Sequence, residues 1–146
     1  MNQRHFEMRL SCTYTDPDNS IDQLDIEVLI NGAWQTLDLN TRSPGFQLFN
    51  YGLFSCQHLY FRINAAERGL MLGSAKGHIT VETDIDWNIR SLQVEFNGML
   101  KSGSPSEDDI AYIIERMGFC PVSSNMKDIT DSRRDVRFES AAAHQG

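Results

Sequence analysis

Apolar and polar residues alternate at the start of the chain, with Phe6, Met8, Leu10, Cys12 and Tyr14 set against Glu7, Arg9, Ser11 and Thr13. A period of two predicts a half-buried strand, and it puts Cys12 on the core face as a packed thiol. A polar connection over residues 15–22 leads to a second strand with Leu24, Ile26, Val28 and Ile30 on one face. Asn31-Gly32 is a two-residue hairpin signal, because both positions tolerate positive φ. A third strand is predicted over residues 33–39, so the first third reads as an antiparallel meander.

The period then changes. Ser43 can cap a helix and Pro44 suits its first turn. Helical spacing continues to about Arg68, with Gly69 placed to end it. Phe46, Leu48, Phe49, Tyr51, Leu53, Phe54, Leu59, Phe61 and others wrap nearly the whole circumference. A helix apolar on every side needs cover on several sides, and in a chain this short a partner subunit is an expected cover. Two further strands are predicted over residues 76–84 and 89–97, then a loop over 101–105. Ser104 and Glu107 have capping-box spacing for a helix starting at Pro105, with Ile110, Ile113, Ile114 and Met117 as its buried stripe and Gly118 as its stop. A short helix over residues 121–127 and a last strand marked by Val136 and Phe138 follow. Residues 1–139 form one expected domain, with 140–146 as a disordered tail.

Composition narrows the function classes. The 146 residues are 40% hydrophobic and 23% charged, ordinary for a globular protein, and the net charge is −7. Basic residues are scattered, so a nucleic-acid backbone is not an expected partner. No stretch is long and apolar enough to span a bilayer, and the first residues lack the apolar run of a secretion signal, so a cytoplasmic location with no membrane partner is expected. His5, His58, His78 and His144 have no metal-ligand spacing among themselves. Asp16, Asp18, Ser20, Asp22 and Glu27 echo a calcium loop, but Ile21 stands where the sharp turn needs glycine, so this is read as a solvated acidic hairpin. Gly73-Ser74-Ala75-Lys76-Gly77 lacks the spacing of a phosphate-binding loop, and Ser55 has no recognisable hydrolase partners.

Three cysteines remain, Cys12, Cys56 and Cys120, too few for a disulfide framework. Cys56 lies mid-helix between Gly52 and Tyr60, where either a buried core thiol or a functional one fits. Cys120 precedes Pro121 at the expected start of a helix, where backbone N–H groups favour a thiolate; an incidental residue at a helix start is the alternative.

The run Gln47-Leu48-Phe49-Asn50-Tyr51-Gly52-Leu53-Phe54-Ser55-Cys56 resembles the central-helix motif of the OsmC/Ohr family, and Cys120-Pro121-Val122-Ser123 is similar to that family's second motif. The order of predicted elements resembles the family along nearly all of the chain. The resemblance implies an α+β fold with antiparallel sheets packed around a long central helix, assembled as an intertwined homodimer. It also implies a peroxidase that reduces organic hydroperoxides without metal or bound cofactor. Cys56 would attack the peroxide and become a sulfenic acid, Cys120 would resolve it as a disulfide, and an external dithiol would reduce that disulfide. Phe46 and Phe49 are expected to give the substrate pocket an apolar wall, with Gln47 beside them.

The chain departs from the family pattern in two places. Phe46 occupies the position of the family's glutamate in the first turn of the long helix. The hairpin that carries the family's arginine has only acids among its charged residues, leaving Arg42 as a substitute. Without that activating pair, a family member could instead bind a small apolar ligand or act as a slow redox sensor, and a purely structural dimer with two buried thiols is a third reading.

Overall fold

The computed structural model describes residues 3–126 and 131–140. Six strands form one sheet: β1 (Arg4–Thr15), β2 (Ser20–Ile30), β3 (Ala33–Thr36), β4 (Met71–Thr83), β5 (Ile89–Ser102) and β6 (Asp131–Ser140). Their spatial order is β3-β2-β1-β4-β5-β6. Helix α1 (Gly45–Glu67) leaves β3 and returns the chain to β4, and α2 (Glu107–Met117) with a 3₁₀ turn (Ser123–Asn125) connects β5 to β6.

The meander forms as expected, with Asn31 at φ 50° and Gly32 at φ 79° in the β2–β3 turn. The third strand stops at Thr36, three residues short of its expected end. Elsewhere the expectation of antiparallel sheets is corrected: among the described residues there is a single sheet, and β6 runs parallel to β5. The α2 segment carries the chain back along the sheet before β6 begins, and such a crossover allows parallel pairing. The described part of the segment expected as a short helix over 121–127 is only the three-residue 3₁₀ turn. Residue 127 and the expected tail over 141–146 lie outside the described residues, while Ser140 belongs to β6.

One row across the sheet fixes where α1 sits. Ile26, Leu10, Gly77, Phe96 and Val136 face one another through successive registers of β2, β1, β4, β5 and β6. Gly77 leaves room for the Phe96 ring; a Cβ there would lie 2.5 Å from it. Phe61 of α1 stacks on Phe96 at 4.7 Å between centroids, and Phe54 and His58 flank it at 5.9 and 5.7 Å. These apolar contacts, with Leu53, Ala65, Ile79 and Leu92, make the core between the helices and the sheet.

The helix α1 spans 23 residues, and Gly69 at φ 75° ends it as expected. Pro44, rather than Ser43, stands at the N-cap, because the Ser43 hydroxyl accepts the Asn40 N–H instead. Only part of the circumference is covered in the single chain, for Leu48, Phe49 and Leu59 are exposed. The cap of α2 also differs from expectation. Ser106 accepts the Asp109 N–H at 3.0 Å and donates its own N–H to Asp109 Oδ2 at 2.9 Å, so the box starts two residues beyond Ser104. That register keeps Pro105 outside the helix and puts Glu107, Asp108 and Asp109 in its positive first turn.

The β1–β2 hairpin is not simply a solvated acidic loop. Asn19 is fully buried at φ 53°. Its Nδ2 donates to the Arg62 and Leu70 carbonyls at 3.0 Å each, and its Oδ1 accepts the Leu72 N–H at 2.8 Å. The hairpin tip is thereby tied to the end of α1 and the start of β4.

Candidate active site

Cys56 and Cys120 are joined by a disulfide, with their Cα atoms 6.1 Å apart. Cys56 is half-buried on α1, while Cys120 is fully buried in the turn after α2. Gln57, next to Cys56 and also fully buried, registers the two elements by donating its Nε2 to the Met117 carbonyl at 2.9 Å. The same carbonyl also accepts the Cys120 N–H at 3.3 Å. Gly118, Phe119 and Cys120 continue in tight turns on the last carbonyls of the helix, which brings the Cys120 side chain under α1.

The expectation that Cys120 sits at the start of a helix is corrected in detail. The 3₁₀ turn begins at Ser123, and the sulfur receives one backbone donor, the Ser123 N–H, at 3.4 Å. Ser123 is held in turn by β6. Arg134 Nη2 donates to the Ser123 hydroxyl, and Arg134 Nε donates to Gln57 Oε1 at 3.2 Å. Burial holds the Arg134 guanidinium below its usual pKa, and among the described residues no carboxylate pairs with it.

Cys56 borders a cavity of about 390 Å³ between α1 and the β1–β2 face. Leu10, Leu24, Ile26, Tyr51 and Leu59 give it apolar walls, and its polar members include His58 and Arg62. Arg62 Nη1 donates to the Asn19 carbonyl at 3.4 Å, while its Nε is buried without a hydrogen-bond partner among the described residues. His58 is 3% exposed, and its Nε2 lies 2.6 Å from the Tyr14 hydroxyl. Burial, helped by the Arg62 charge, pushes the His58 pKa down to about 4, so the imidazole is neutral near pH 7. Burial also drives the Tyr14 hydroxyl far above its ordinary value. Cys12 is free and buried in the core, where burial raises its thiol pKa.

The residues expected to wall the substrate pocket lie elsewhere. Phe46 and Gln47 line a second cavity of about 340 Å³ with Phe6, Trp87 and Val81. Phe46 packs on Phe6 at 4.9 Å and on Trp87 at 5.3 Å, while Phe49 stacks on Phe46 at 5.7 Å from an exposed position. Ten residues of α-helix place Phe46 about 15 Å along the axis from Cys56, too far to share its cavity within one chain. Arg42 is exposed in the turn before α1, its N–H bonded to Asn40 Oδ1 at 2.7 Å. The arginine that borders the Cys56 cavity is Arg62, which the sequence reading missed, as it did Arg134 and Gln57. Arg62 lies on the same helix as Cys56 six positions on, and that spacing was the one signal available for it.

The fold and this pair define a two-cysteine α+β protein whose sulfurs bridge the long helix and the β5–β6 crossover. Protein-family models and curated protein sequences give no match to the chain. Solved structures do. An OsmC-like hydroperoxide resistance protein from Jannaschia sp. CCS1 is 15% identical, with 85% of this chain and 87% of that one covered and a TM-score of 0.54. An OsmC-like protein from Mycoplasma pneumoniae is 13% identical, with 89% and 94% covered and a TM-score of 0.50. A protein from Psychrobacter arcticus 273-4, described as a putative osmotic stress induced and detoxification response protein, is 12% identical, with 88% and 94% covered and a TM-score of 0.50. The chain has the OsmC-like fold, the fold that the resemblance of its two cysteine motifs implies. Among the described residues, no helix is long and apolar enough to cross a membrane.

Proposed function

We propose that the protein is a thiol-dependent peroxidase that reduces organic hydroperoxides through Cys56 and Cys120. The observation that carries this reading is the pairing itself: two cysteines 64 residues apart in sequence meet across the α1–α2 boundary. The half-buried member, Cys56, borders a cavity of mixed apolar and cationic lining, whereas Cys120 is fully buried. That asymmetry supports attack by Cys56 and resolution by Cys120.

Arg62 lines the same cavity as Cys56, and a cation beside a reduced thiol is the kind of group that activates it. The Cys56 thiolate attacks the terminal oxygen of ROOH and the O–O bond breaks. The alkoxide takes a proton and leaves as ROH, and Cys56 becomes a sulfenic acid. The Cys120 sulfur then attacks the Cys56 sulfur, and the hydroxyl leaves with the Cys120 proton as water. An external dithiol returns two electrons and two protons and becomes a disulfide itself. The walls of Leu10, Leu24, Ile26 and Leu59 suit an alkyl or lipid hydroperoxide better than hydrogen peroxide. The exposed Leu48, Phe49 and Leu59 on α1 support assembly as a homodimer. A cytoplasmic setting, where dithiol reductants are maintained, completes this reading.

The test is to treat the reduced protein anaerobically with one equivalent of cumene hydroperoxide and follow free thiols and intact mass. Rapid loss of two thiols, abolished in Cys56→Ser and slowed in Arg62→Met, is the expected result. Thiols that persist for many minutes would refute it. A second reading, binding of a small apolar ligand, is favoured by the aromatic cavity around Phe46 and Trp87, which does not include either sulfur. It predicts inert thiols together with quenching of Trp87 fluorescence by such a ligand.

A further inference from the structure

Reduction of a disulfide requires one sulfur to be attacked and the other to leave. The leaving sulfur departs faster when its thiolate is stabilised. The two sulfurs here have different surroundings. Cys56 borders an open cavity, whereas Cys120 is fully buried beside the Ser123 N–H. The Ser123 hydroxyl accepts from Arg134, and Arg134 also holds Gln57, the neighbour of Cys56. Alternation along β6 turns Arg134 and Val136 toward the helices, while Arg133 pairs with Asp135 at 3.1 Å. Among the described residues no carboxylate pairs with this inward guanidinium, which lies one residue contact away from the buried sulfur. The hydrogen bonds of Arg134 fix Ser123, whose N–H points at Cys120.

We propose that Arg134 is a positioning residue that, through Ser123, makes Cys120 the leaving group when the disulfide is reduced, so that a dithiol reductant is directed to Cys56. The proposal rests on the redox cycling of the pair put forward above. A thiolate of the reductant attacks the Cys56 sulfur, the Cys56–Cys120 bond breaks, and its electron pair leaves on Cys120 as a thiolate. The reductant and Cys56 are then joined as a mixed disulfide. The second thiol of the reductant attacks the reductant's own sulfur, Cys56 leaves as a thiolate, and the reductant becomes an intramolecular disulfide. The two protons lost by the dithiol end on the two protein sulfurs or in solvent. Cys120 stays inside the fold throughout.

The experiment uses full-length protein whose disulfide has been made with diamide, so its outcome is independent of whether a hydroperoxide is the oxidant. Its reduction by dithiothreitol is followed by loss of the disulfide, and trapping with N-ethylmaleimide after a brief glutathione pulse locates the mixed disulfide by peptide mass. The wild type carries the adduct on Cys56. Arg134→Gln slows reduction about three- to tenfold, the size expected from removing a cation near a leaving thiolate. Arg134→Lys restores most of the rate, and Ser123→Ala, which keeps the backbone donor, slows it less than Arg134→Gln. A merely structural role for Arg134 predicts the opposite sign, because a loosened fold exposes the disulfide and speeds its reduction. Unchanged or faster reduction in Arg134→Gln overturns the proposal, as does an adduct on Cys120 in the wild type. If Arg134→Gln does not fold, Ser123→Ala decides, and a wild-type rate there overturns it. Failure of the peroxidase reading would show separately, as inert thiols toward cumene hydroperoxide in a protein whose disulfide still reduces in this order.

Discussion

Replacing Asn19 tests how the candidate site is held. Asn19 makes three hydrogen bonds: Nδ2 donates to the Leu70 carbonyl in the interior and to the part-buried Arg62 carbonyl, and Oδ1 accepts the buried Leu72 N–H. In Asn19→Ala all three are lost, at about 1 kcal/mol net each. The Leu72 N–H is then left buried without an acceptor, which adds about 1–2 kcal/mol. The left-handed φ of 53° adds up to about 1 kcal/mol for alanine, a term that Asn19→Gly avoids. The expected loss is about 4–6 kcal/mol for alanine and somewhat less for glycine, out of a typical total of about 5–15 kcal/mol. Asn19→Asp keeps the acceptor for Leu72 but turns a carboxylate oxygen toward two carbonyls, so it should cost at least as much as alanine near neutral pH. Urea unfolding of the reduced protein measures these values, with the thermal midpoint falling by roughly 10 °C for alanine. A loss below about 1 kcal/mol in Asn19→Ala would refute the reasoning. Arg62 follows the same tether, because its Nη1 bonds the Asn19 carbonyl. The alanine variant should therefore also react more slowly with hydroperoxide.

Three further outcomes are expected. His58 has its pKa lowered from 6.5 to about 4, so the unfolded chain binds a proton that the fold excludes between those values. The associated stability is present above pH 6.5 and is lost as the pH falls toward 4, by about 3 kcal/mol in total, and His58→Phe combined with Tyr14→Phe should flatten that part of a stability–pH curve. Gly77→Ala drives a methyl group into the Phe96 ring and should cost about 1–3 kcal/mol in thermal unfolding, unlike an equivalent change at Gly52, where nothing lies within 4 Å of an added Cβ. Cys120→Ser, given one equivalent of cumene hydroperoxide, should accumulate a sulfenic acid on Cys56 that dimedone labels, and absence of that label would remove Cys56 as the attacking thiol.

The strands and long helix were legible because their signals are local. The alternation of β1 follows from one buried face, and Asn31-Gly32 shows the two positive φ values that its turn requires. The α2 cap was misplaced because Ser104–Glu107 and Ser106–Asp109 have the same spacing, and only the position of Pro105 separates them. The parallel β6 was hidden because pairing direction is set by the path of the crossover, not by the strand's own residues. Among the candidate site residues, the cysteines were found through sequence motifs, whereas Phe46, Phe49 and Gln47 were placed through the family resemblance and Arg42 through its position just before the helix. The helix instead carries Phe46 to a different cavity and leaves Arg42 at the surface. Arg62, Asn19 and Arg134 were missed because each acts across the fold; Asn19 in particular stood among acids that suggested solvent.

The Cys56–Cys120 bond also closes a covalent ring. Its two ends are 64 residues apart, and the span between them contains β4, β5 and α2. Closing a loop of that length restricts the unfolded chain by about 4 kcal/mol in a chain-entropy account. In the proposed redox cycle, each oxidation would therefore lengthen the time the molecule survives a proteolytic environment, and each reduction would shorten it. Molecules that wait longest for a reductant are the ones best protected from degradation, so a shortage of reducing equivalents would enlarge the pool of this protein without any new synthesis.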